Sequence, residues 1–480
     1  MQLNQLFKGA PNIEIEQLSE DSRLPMKNAI FFCLDGIKYD GHNYIDEAIS
    51  NGAKVIVYSK EITNNKNAIY IKVKNVNETL SRISEIFYNH PNSNIDKYLI
   101  SGCYGRSTVS MIINHYLNSV STCGSVGIFG INYLGKHLSL SYPTLTPLDN
   151  LKALDNFKKN NIKNCTFETN VISLYYKKFD VIKPDVFIYT NTSKFSADYN
   201  VCNSYYFSNI RKYLYTLEDK TCVLFNGDDD AFEELKDSVN NYATYGFSDN
   251  CTYKIIDANL SNDGVRFKIV HNDMVYEVKS KLIGNVNIYN LTASIAALNL
   301  RGHDIKDVID KLNDIDYVDG VMEVVDKDYN VILDCGYEID SINSLLKYAK
   351  DTCKGKLIGI IGINYSDSDK RIENILKICE KFLDVIILTE DESMQSEVMD
   401  ILARTNKYIH TKKVVQIPHR SSAIENGVEI MNKNDTLLII GKGNETFLNM
   451  GFGKEKYAGD KYYVLKYLKN RKEPITNEII

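Results

Sequence analysis

Several residue types are scarce in this 480-residue chain. Tryptophan is absent, and proline and histidine number only 8 each. The 10 cysteines are scattered without a Cys-X-X-Cys pair, which favours reduced thiols over disulfides or a zinc site. No basic leader followed by an apolar core opens the sequence, and apolar runs such as Leu437 to Ile440 fall far below the roughly 20 residues that span a bilayer. We therefore expect no membrane segment and a cytoplasmic location.

A strong net charge is also missing. The formal net charge is −6, whereas a nucleic-acid-binding surface is normally clearly basic, so we expect no nucleic-acid partner. With 44% hydrophobic and 25% charged residues, the composition is typical of a soluble globular protein. At roughly 100 to 200 residues per domain, the length predicts about three domains.

The segment from Lys97 to Val120 predicts a strand, a glycine loop and a helix in succession. The apolar run Tyr98 to Ile100 precedes a loop that contains Gly102 and Gly105. Apolar residues at helical spacing follow the loop, namely Val109, Ile112, Ile113 and Tyr116. In this order the N–H groups of the loop and the positive end of the helix converge on one point, as they do in a phosphate-binding loop.

The loop departs from the strict phosphate-binding signature. That signature ends in Gly-Lys-[Ser/Thr], in which the lysine reaches the outer phosphates and the hydroxyl holds Mg²⁺. Here the triplet is Gly105-Arg106-Ser107, and Ile100 stands in place of the first glycine. Arginine is planar and forked, so it does not replace the point charge of an ammonium group. The spacing alone leaves open a nucleotide loop and an ordinary strand-to-helix turn, in which Ser107 and Thr108 only start the helix.

The pattern of strands and helices predicts an α/β protein with three domains, at residues 1–95, 96–326 and 327–480. A polar break from Asn89 to Asn94 ends the first domain. In the second domain, strands recur between helices, which favours a mostly parallel, P-loop-like sheet covered by helices. The third domain repeats the alternation with apolar runs such as Val331 to Asp334 and Leu357 to Ile361, which predicts a Rossmann-like doubly wound sheet.

Short motifs occur along all three predicted domains. In chain order they are Asp21-Ser-Arg23, Asp40-Gly-His-Asn-Tyr-Ile45, Thr146-Pro147, Glu168, Thr190-Asn-Thr-Ser193, Asp198, Asn226-Gly-Asp-Asp229, Gly284-Asn-Val-Asn-Ile-Tyr-Asn290, Met322-Glu323, Asp334, Asp340-Ser341, Thr389, Asp391, Ile417-Pro-His-Arg420 and Gly441-Lys-Gly-Asn-Glu-Thr446. Together they resemble the Mur ligases, most closely the MurE branch, which adds the third amino acid to UDP-N-acetylmuramoyl-dipeptide. The resemblance covers essentially the whole chain.

The resemblance implies the three-domain Mur ligase architecture, ATP and Mg²⁺ as cofactors, and a UDP-N-acetylmuramoyl-peptide or related small molecule as ligand. The nucleotide-binding positions that it implies are Gly102, Gly105, Arg106, Ser107, Thr108, Asn287, Asn290 and Asp334. The uridine-nucleotide positions that it implies are Ser22, Arg23 and His42, and the metal ligands are Ser107 and Glu168. For the uridine-nucleotide segment, surface structure without ligand binding remains an alternative.

Several positions depart from the pattern of the family. Its loop reads Gly-Thr-Asn-Gly-Lys-Thr-Thr, where this chain has Gly102-Cys-Tyr-Gly-Arg-Ser-Thr108. The lysine that the family carbamylates to bridge its metals aligns with Ile210. The other altered segments are Glu168-Thr-Asn-Val-Ile172 for Glu-Val-Ser-Ser-His, Phe195-Ser-Ala-Asp198 for Asp-His-Leu-Asp, Gly320-Val-Met-Glu323 for Gly-Arg-Met-Glu, Cys335-Gly-Tyr-Glu-Ile339 for Tyr-Ala-His-Thr-Pro, Asp391-Glu-Ser-Met394 for Asp-Asn-Pro-Arg, and Asn444 for a histidine.

These departures leave two functional hypotheses and no assigned catalytic residue. One is a Mur-fold protein without ligase activity, which binds a ligand or serves as a scaffold or regulatory partner of an active ligase. The other is an active ATP-dependent ligase that joins an amino acid or amine to a carboxylate. Because Ile210 cannot carry a carbamate and Ser196 replaces a histidine, we expect no two-metal site. We also expect ATP–Mg²⁺ binding to be weak or absent.

Overall fold

The computed structural model describes residues 1–35, 40–62, 67–138, 145–193, 205–261, 263–392, 398–449 and 454–472. These residues form three sheets, of four, eleven and six strands, and one two-stranded ribbon. Helices cover the three sheets, so the predicted α/β class with mostly parallel sheets is confirmed. No helix in the described ranges is long and apolar enough to cross a membrane.

The N-terminal sheet is parallel throughout and has its strands in sequence order. Its strands are β1 (Gln17–Ser19), β2 (Ala29–Phe32), β3 (Ala53–Tyr58) and β4 (Ile69–Lys72), and its helices are α1 (Leu3–Leu6), α2 (Ile45–Ser50) and α3 (Val76–Phe87). Asn75 caps the start of α3, and its side chain accepts a hydrogen bond from the Glu78 N–H. The apolar residues of α3 recur at helical spacing and are buried against the sheet. Because the strands are parallel, the segments that follow them lie together at the carboxyl ends of the strands of this sheet.

The central sheet has eleven strands in the order β15-β14-β13-β12-β11-β10-β5-β9-β6-β7-β8. These strands are β5 (Asp96–Ser101), β6 (Cys123–Gly127), β7 (Gly130–Tyr133), β8 (Lys136–Leu138), β9 (Asn164–Glu168), β10 (Val186–Tyr189), β11 (Cys222–Asn226), β12 (Tyr242–Gly246), β13 (Tyr253–Ser261), β14 (Gly264–His271) and β15 (Met274–Ser280). From β6 to β13 all neighbouring strands are parallel, while β7, β8, β14 and β15 pair antiparallel at the two ends. The antiparallel ends were not predicted.

Helices cover both faces of the central sheet. They are α4 (Arg106–Val120), α5 (Pro147–Lys159), α6 (Val171–Tyr175), α7 (Tyr206–Leu214), α8 (Asp230–Leu235), α9 (Asn285–Leu300) and α10 (Ile305–Leu312). Because side chains alternate along a strand, Tyr98 and Ile100 of β5 join the core under α4 and α9, whereas Leu99 joins the core under α5 and α7. Strand β5 is therefore buried on both faces, and the loop that follows it is held between two packed layers.

The third sheet has the order β16-β17-β21-β18-β19-β20, and only β16 pairs antiparallel. Its strands are β16 (Glu323–Asp326), β17 (Val331–Asp334), β18 (Leu357–Ile363), β19 (Val385–Glu390), β20 (Val414–Gln416) and β21 (Thr436–Ile440), followed by the ribbon β22 (Phe447–Asn449) and β23 (Lys454–Lys456). The helices are α11 (Ile339–Thr352), α12 (Asp369–Phe382), α13 (Val398–Ala403), α14 (Arg420–Ile430) and α15 (Asp460–Lys472). Strand β16 lies within the range 96–326 assigned to the central domain, and the boundaries stay a prediction.

Candidate functional site

The loop between β5 and α4 depends on two glycines. Gly102 and Gly105 have φ values of 128° and 82°, in the region that favours glycine. A Cβ atom at Gly102 would lie 2.1 Å from the Thr190 Oγ1, and one at Gly105 would lie 2.4 Å from the Asn290 Oδ1. The loop is therefore packed tightly between the end of β10 and helix α9.

Side chains that follow β10 hold this loop by hydrogen bonds. The Asn191 Oδ1 accepts from the N–H groups of Cys103 and Tyr104 at 3.2 and 3.0 Å. The Thr190 Oγ1 and the Asn191 Nδ2 both donate to the carbonyl of Tyr104, at 2.8 and 2.9 Å. Two N–H groups of the loop are thus used within the protein. The N–H groups in the first turn of α4 have no helical acceptor, so an anion would meet those groups first.

The Arg106 guanidinium folds back over the loop. Its Nη1 donates to the carbonyls of Gly102 and Cys103, the latter at 2.9 Å. A guanidinium needs acceptors in the plane of its fork, and the loop carbonyls supply them here. An outer phosphate would have to displace these contacts before it could use the charge of Arg106.

Ser107 and Glu168 lie together at the start of α4 and the end of β9. The Ser107 Oγ donates to the Glu168 Oε2 at 2.6 Å, and burial raises the pKa of Glu168. Two neighbouring ligands of an octahedral Mg²⁺ are about 2.9 Å apart when each bond is about 2.0 to 2.1 Å. A cavity of about 40 Å³ adjoins Arg106 and Glu168, which is enough for about one water molecule or a small ion. These residues fit one Mg²⁺.

The positions that would hold a second metal are apolar or lie outside the described residues. Ile210 on α7 is fully buried in the core under α5 and α7, where its side chain packs among apolar residues. Phe195-Ser-Ala-Asp198 falls outside the part of the chain that the structure describes. The expected lack of a two-metal site stays a prediction.

The buried Asn287 and Asn290 brace the start of helix α9. The Asn287 Nδ2 donates to the Ile283 carbonyl at 2.7 Å, and the Asn290 Nδ2 donates to the Asn287 Oδ1 at 3.0 Å. Thr108, in the first turn of α4, is also buried. Of these residues, Asn290 adjoins the loop directly, through its contact with Gly105. Thr108, Asn287 and Asn290 are therefore buried residues that stabilise the packing around the site.

Asp334, at the end of β17, ties two turns of the third domain together. Its carboxylate accepts from the N–H groups of Met322 at 2.8 Å and Gly336 at 2.6 Å. Burial raises the pKa of Asp334 to about 6, although both hydrogen bonds oppose this shift. In the loop itself, burial, with a contribution from the Asp340 carboxylate of the third domain, raises the pKa of Tyr104 to about 12.

The predicted uridine-nucleotide residues lie after strands of the N-terminal sheet. The Ser22 Oγ donates to the Glu47 Oε2 at 2.5 Å. The exposed Arg23 makes a two-point contact with Asp21, from Nε to Oδ1 at 2.9 Å and from Nη2 to Oδ2 at 2.7 Å. The Ser59 N–H donates to the Nε2 of His42 at 3.1 Å, so this nitrogen is an acceptor, and the Nδ1 faces the Asp40 Oδ1 at 2.6 Å. His42 therefore links Asp40, which follows β2, to Ser59, which follows β3.

Asp35, Asp40 and His42 form a cluster whose donor atoms would suit a cation. The Lys60 Nζ lies 2.7 Å from the Asp35 Oδ1 and 2.6 Å from the Asp40 Oδ2. Its ammonium group thus supplies the positive charge of this cluster. The sequence analysis missed Lys60, because only the fold brings the end of β3 beside the loop after β2.

Lys442 is a second residue that the sequence analysis did not single out. It is buried, and its Nζ lies 3.3 Å from the Asp391 Oδ1 and 2.8 Å from the Glu445 Oε2. Burial alone would lower the pKa of Lys442, but the two carboxylates hold this pKa above its ordinary value. The neighbouring Asn444, which replaces a histidine of the family, donates to the Asp319 Oδ2 at 3.0 Å. The signal for Lys442 was its place inside the Gly441 to Thr446 motif.

Comparison with known proteins agrees with this architecture. Three family models match the chain: the Mur ligase family catalytic domain at residues 14–88, the Mur ligase middle domain at 100–298 and the Mur ligase glutamate ligase domain at 322–443. The chain is 28% identical to UDP-N-acetylmuramoyl-L-alanyl-D-glutamate–2,6-diaminopimelate ligase 1 of Clostridium acetobutylicum, with 97% of each chain covered. It is 29% identical to the corresponding ligase of Clostridium botulinum, over 90% of this chain and 91% of the relative.

Solved structures of the same family share the fold. A UDP-N-acetylmuramoyl-L-alanyl-D-glutamate–2,6-diaminopimelate ligase has a TM-score of 0.68 at 19% identity and covers 98% of this chain and 99% of its own. MurF ligase from Thermotoga maritima, in complex with ADP, has a TM-score of 0.64 at 15% identity, with 95% and 98% covered. Family models, full-length relatives and fold agree, so the chain belongs to the Mur ligase family, as its motifs predicted, and is a homologue of MurE-type ligases.

Proposed function

We propose that this MurE-like protein takes part in cell-wall precursor metabolism as a non-catalytic binding, scaffold or regulatory protein. The observation that carries the proposal is the position of Arg106, whose guanidinium is bonded to carbonyls of its own loop. The buried Ile210, at the position that the resemblance aligns with a carbamylated lysine, also supports the proposal. The ligand that we propose is a UDP-N-acetylmuramoyl-peptide or a related small molecule.

Mur-type ligation needs charge neutralisation that this chain supplies only in part. The reaction places the γ-phosphate of ATP on a carboxylate, and an amine then displaces it. Phosphoryl transfer of this kind depends on positioning and on neutralising phosphate charge, to which Mg²⁺ contributes when bound. Ser107 and Glu168 would hold one Mg²⁺, and the N–H groups at the start of α4 would bind the phosphates. The Arg106 Nη1 is already bonded to carbonyls of its own loop, so this nitrogen would have to leave them before it could bond a phosphate.

The loss of the lysine's contact with the outer phosphates can be expressed as a free energy of binding. A hydrogen bond to a charged group contributes about 1.5 to 3 kcal/mol. Losing such a contact weakens binding by about one to two orders of magnitude. We therefore expect weak ATP–Mg²⁺ binding and no hydrolysis above background.

An active ATP-dependent ligase is the second candidate. The spacing of Ser107 and Glu168 suits one Mg²⁺, and the similarity to named ligases extends over 97% of both chains. The carboxylate would then belong to a UDP-N-acetylmuramoyl-peptide or another acid, and an amino acid or amine would be added to it. The position of the arginine that would meet an amino-acid carboxylate is taken by Met394, which lies outside the described residues.

The two candidates differ in turnover. The purified chain is titrated by calorimetry with ATP–Mg²⁺ and, separately, with UDP-N-acetylmuramoyl-dipeptide, and mixtures that also contain amino acids are analysed for ADP and for amide product by mass spectrometry. We expect the UDP-linked ligand to bind and no amide to form. Substrate-dependent release of ADP together with an amide product would establish the active ligase instead.

A protein partner is tested with the same material. If the chain regulates an active ligase, we expect it to change the turnover of a co-purified MurE-type ligase when the two are mixed in equal amounts. A matched control is the Arg23→Gln variant, which loses an exposed residue of the predicted uridine-nucleotide segment. An unchanged turnover with wild type would remove the regulatory role and leave ligand binding.

A further inference from the structure

The N-terminal domain meets the central domain at two places. One is a cavity of about 590 Å³ beside α7, which is lined by Asp180, Asn209 and Tyr213 of the central domain and by the start of α3. The other is a packed contact between α3 and α5. There Leu148, in the first turn of α5, is only 1% exposed and lies in the apolar core of the N-terminal domain. The start of α5 is therefore covered by the N-terminal domain.

Glu20, which follows β1, places its carboxyl group in this contact with α5. Both carboxyl oxygens are buried, and neither has a hydrogen-bond partner within the described residues. The Thr146 hydroxyl and the Leu148 N–H face the carboxyl and favour its charged form, without completing a hydrogen bond to it. Burial outweighs both groups and raises the pKa of Glu20 to about 7. Because buried polar groups are nearly always paired, an unpaired carboxyl between two domains calls for an explanation.

Charged and titratable groups from three elements face this carboxyl. On α5, the Asp149 carboxylate disfavours the charged form of Glu20, whereas Lys152 favours it. Lys178, which follows α6, and Tyr88, which follows α3, face Glu20 from the other sides. Burial lowers the pKa of Lys178 in spite of the nearby Glu20 carboxyl. The surroundings therefore favour a neutral carboxyl in the docked arrangement of the two domains.

We propose that Glu20 forms a pH-sensitive contact that holds the N-terminal domain against the central domain. While the carboxyl group is protonated, it is neutral and stays buried against α5. Loss of the proton leaves a buried charge that is not hydrogen-bonded, so the contact with α5 opens and lets water reach the carboxylate. The cavity beside α7 lies between the same two domains and would open with it. The proposal holds whether or not the chain is a ligase.

The pKa of Glu20 gives the direction and the pH window of this effect. A carboxyl whose pKa is raised by docking stabilises the docked state fully below its ordinary value of 4.5, and this stabilisation is lost as pH rises to about 7. The shift corresponds to a change of about two orders of magnitude in the docking equilibrium. We therefore expect closed domains at about pH 5 and a looser contact at about pH 8.

Hydrogen exchange, followed by mass spectrometry on the full chain and corrected for the intrinsic effect of pH, tests the proposal. In wild type, we expect peptides from the start of α5 and from α3 to exchange about tenfold faster, or more, at about pH 8 than at about pH 5. Glu20→Gln carries no charge at either pH, so its peptides should stay protected at both. The matched control is Glu14→Gln, an exposed glutamate of the same segment, which should behave like wild type.

Asp180 also has a pKa raised by burial, so its variant is measured in parallel. Asp180→Asn should keep the faster exchange of α5 at the higher pH. If Glu20→Gln folds poorly, Glu20→Ala is a second uncharged variant with the same expectation. Exchange that still accelerates in the uncharged Glu20 variant, or that no longer accelerates in Asp180→Asn, would overturn the proposal. Equal protection of wild type at both pH values, or faster exchange spread over all three domains, would overturn it too.

Discussion

The glycine loop and the cavity beside α7 differ in whether their polar side chains are hydrogen-bonded. At the loop, Asn191 and Arg106 bond the loop's own N–H and carbonyl groups. At the cavity, the Asn209 Oδ1 and the Tyr213 hydroxyl remain without partners in the described part of the chain. In the region that carries the family motif, two loop N–H groups and two loop carbonyls are thus bonded within the protein. The region without a family motif keeps two buried polar atoms unpaired in the described part of the chain.

The comparison teaches where to look for function in a diverged family member. A self-satisfied loop can keep its shape for stability alone, because its hydrogen bonds are already made. Unpaired buried polar groups lower the free energy of unfolding, so we expect a protein to retain them where they serve another role. The following predictions test both halves of the comparison.

The largest effect is expected for Gly102→Ala. The new Cβ would meet the Thr190 Oγ1 at 2.1 Å and would sit at a φ of 128°. Strain and overpacking together should lower the free energy of unfolding by about 3 kcal/mol, which urea unfolding would measure. Gly135→Ala is the matched control, since its φ is also positive, at 72°, but nothing lies within 4 Å of the new Cβ. Equal losses in both variants would mean that the loop is not packed as described.

Next in size is the pH dependence of stability that comes from Asp180 in the cavity. Burial raises its pKa from 3.8 to about 6, while Lys177 and Lys183 oppose the shift. A carboxyl with a raised pKa in the folded state stabilises the fold fully below its unfolded pKa, and this stability is lost as pH rises to about 6. Wild type should thus lose roughly 2 kcal/mol across this window.

Asp180→Asn should remove that loss, as urea unfolding at several pH values would reveal. Asp237→Asn, at an exposed position, controls for the loss of one negative charge. If the curves of Asp180→Asn and wild type stayed parallel, the Asp180 carboxyl would not be the source of the pH dependence.

A smaller effect is expected for Arg106→Lys. The Arg106 Nη1 donates to both loop carbonyls, and the shorter lysine ends in a different group, so we expect its ammonium group to turn outward to the phosphates. ATP–Mg²⁺ affinity should rise about tenfold, equivalent to about 1.4 kcal/mol, as measured by calorimetry. Arg471→Lys on α15 is the control. Restored amide formation by this single change would show that the rest of the site is intact, and the non-catalytic proposal would then fail.

The smallest effect is expected for Lys60→Gln. Lys60 pairs with Asp35 and Asp40 at a site where its side chain and that of Asp35 are about half exposed, so water and salt screen the interaction. The thermal midpoint should fall slightly at low salt and match wild type at high salt. A large fall that persists at high salt would mean that Lys60 does more than balance the charge of the cluster.

Much of the fold followed from local sequence. Tyr98 to Ile100, the glycines and the helical spacing from Val109 onward predicted the strand, loop and helix of Asp96 to Val120, because neighbouring residues alone determine such periodicity. The motifs predicted the family, and they placed Ser107 and Glu168 together as candidate metal ligands. The antiparallel strands β14 and β15 were missed, since the alternation of the central strands with helices favoured a parallel sheet.

Tertiary structure alone decided which groups the residues of the site contact. Asn191 reaches the Cys103 N–H only because β10 pairs with β5, although 88 residues separate the two in sequence. Arg106 folds back because the loop places two carbonyls within reach of its Nη1. The Asn209 Oδ1 and the Tyr213 hydroxyl are unpaired because α7 buries them beside another domain that supplies no partner from its described residues. Hydrogen bonds of this kind depend on distances in space, and a sequence pattern records only distances along the chain.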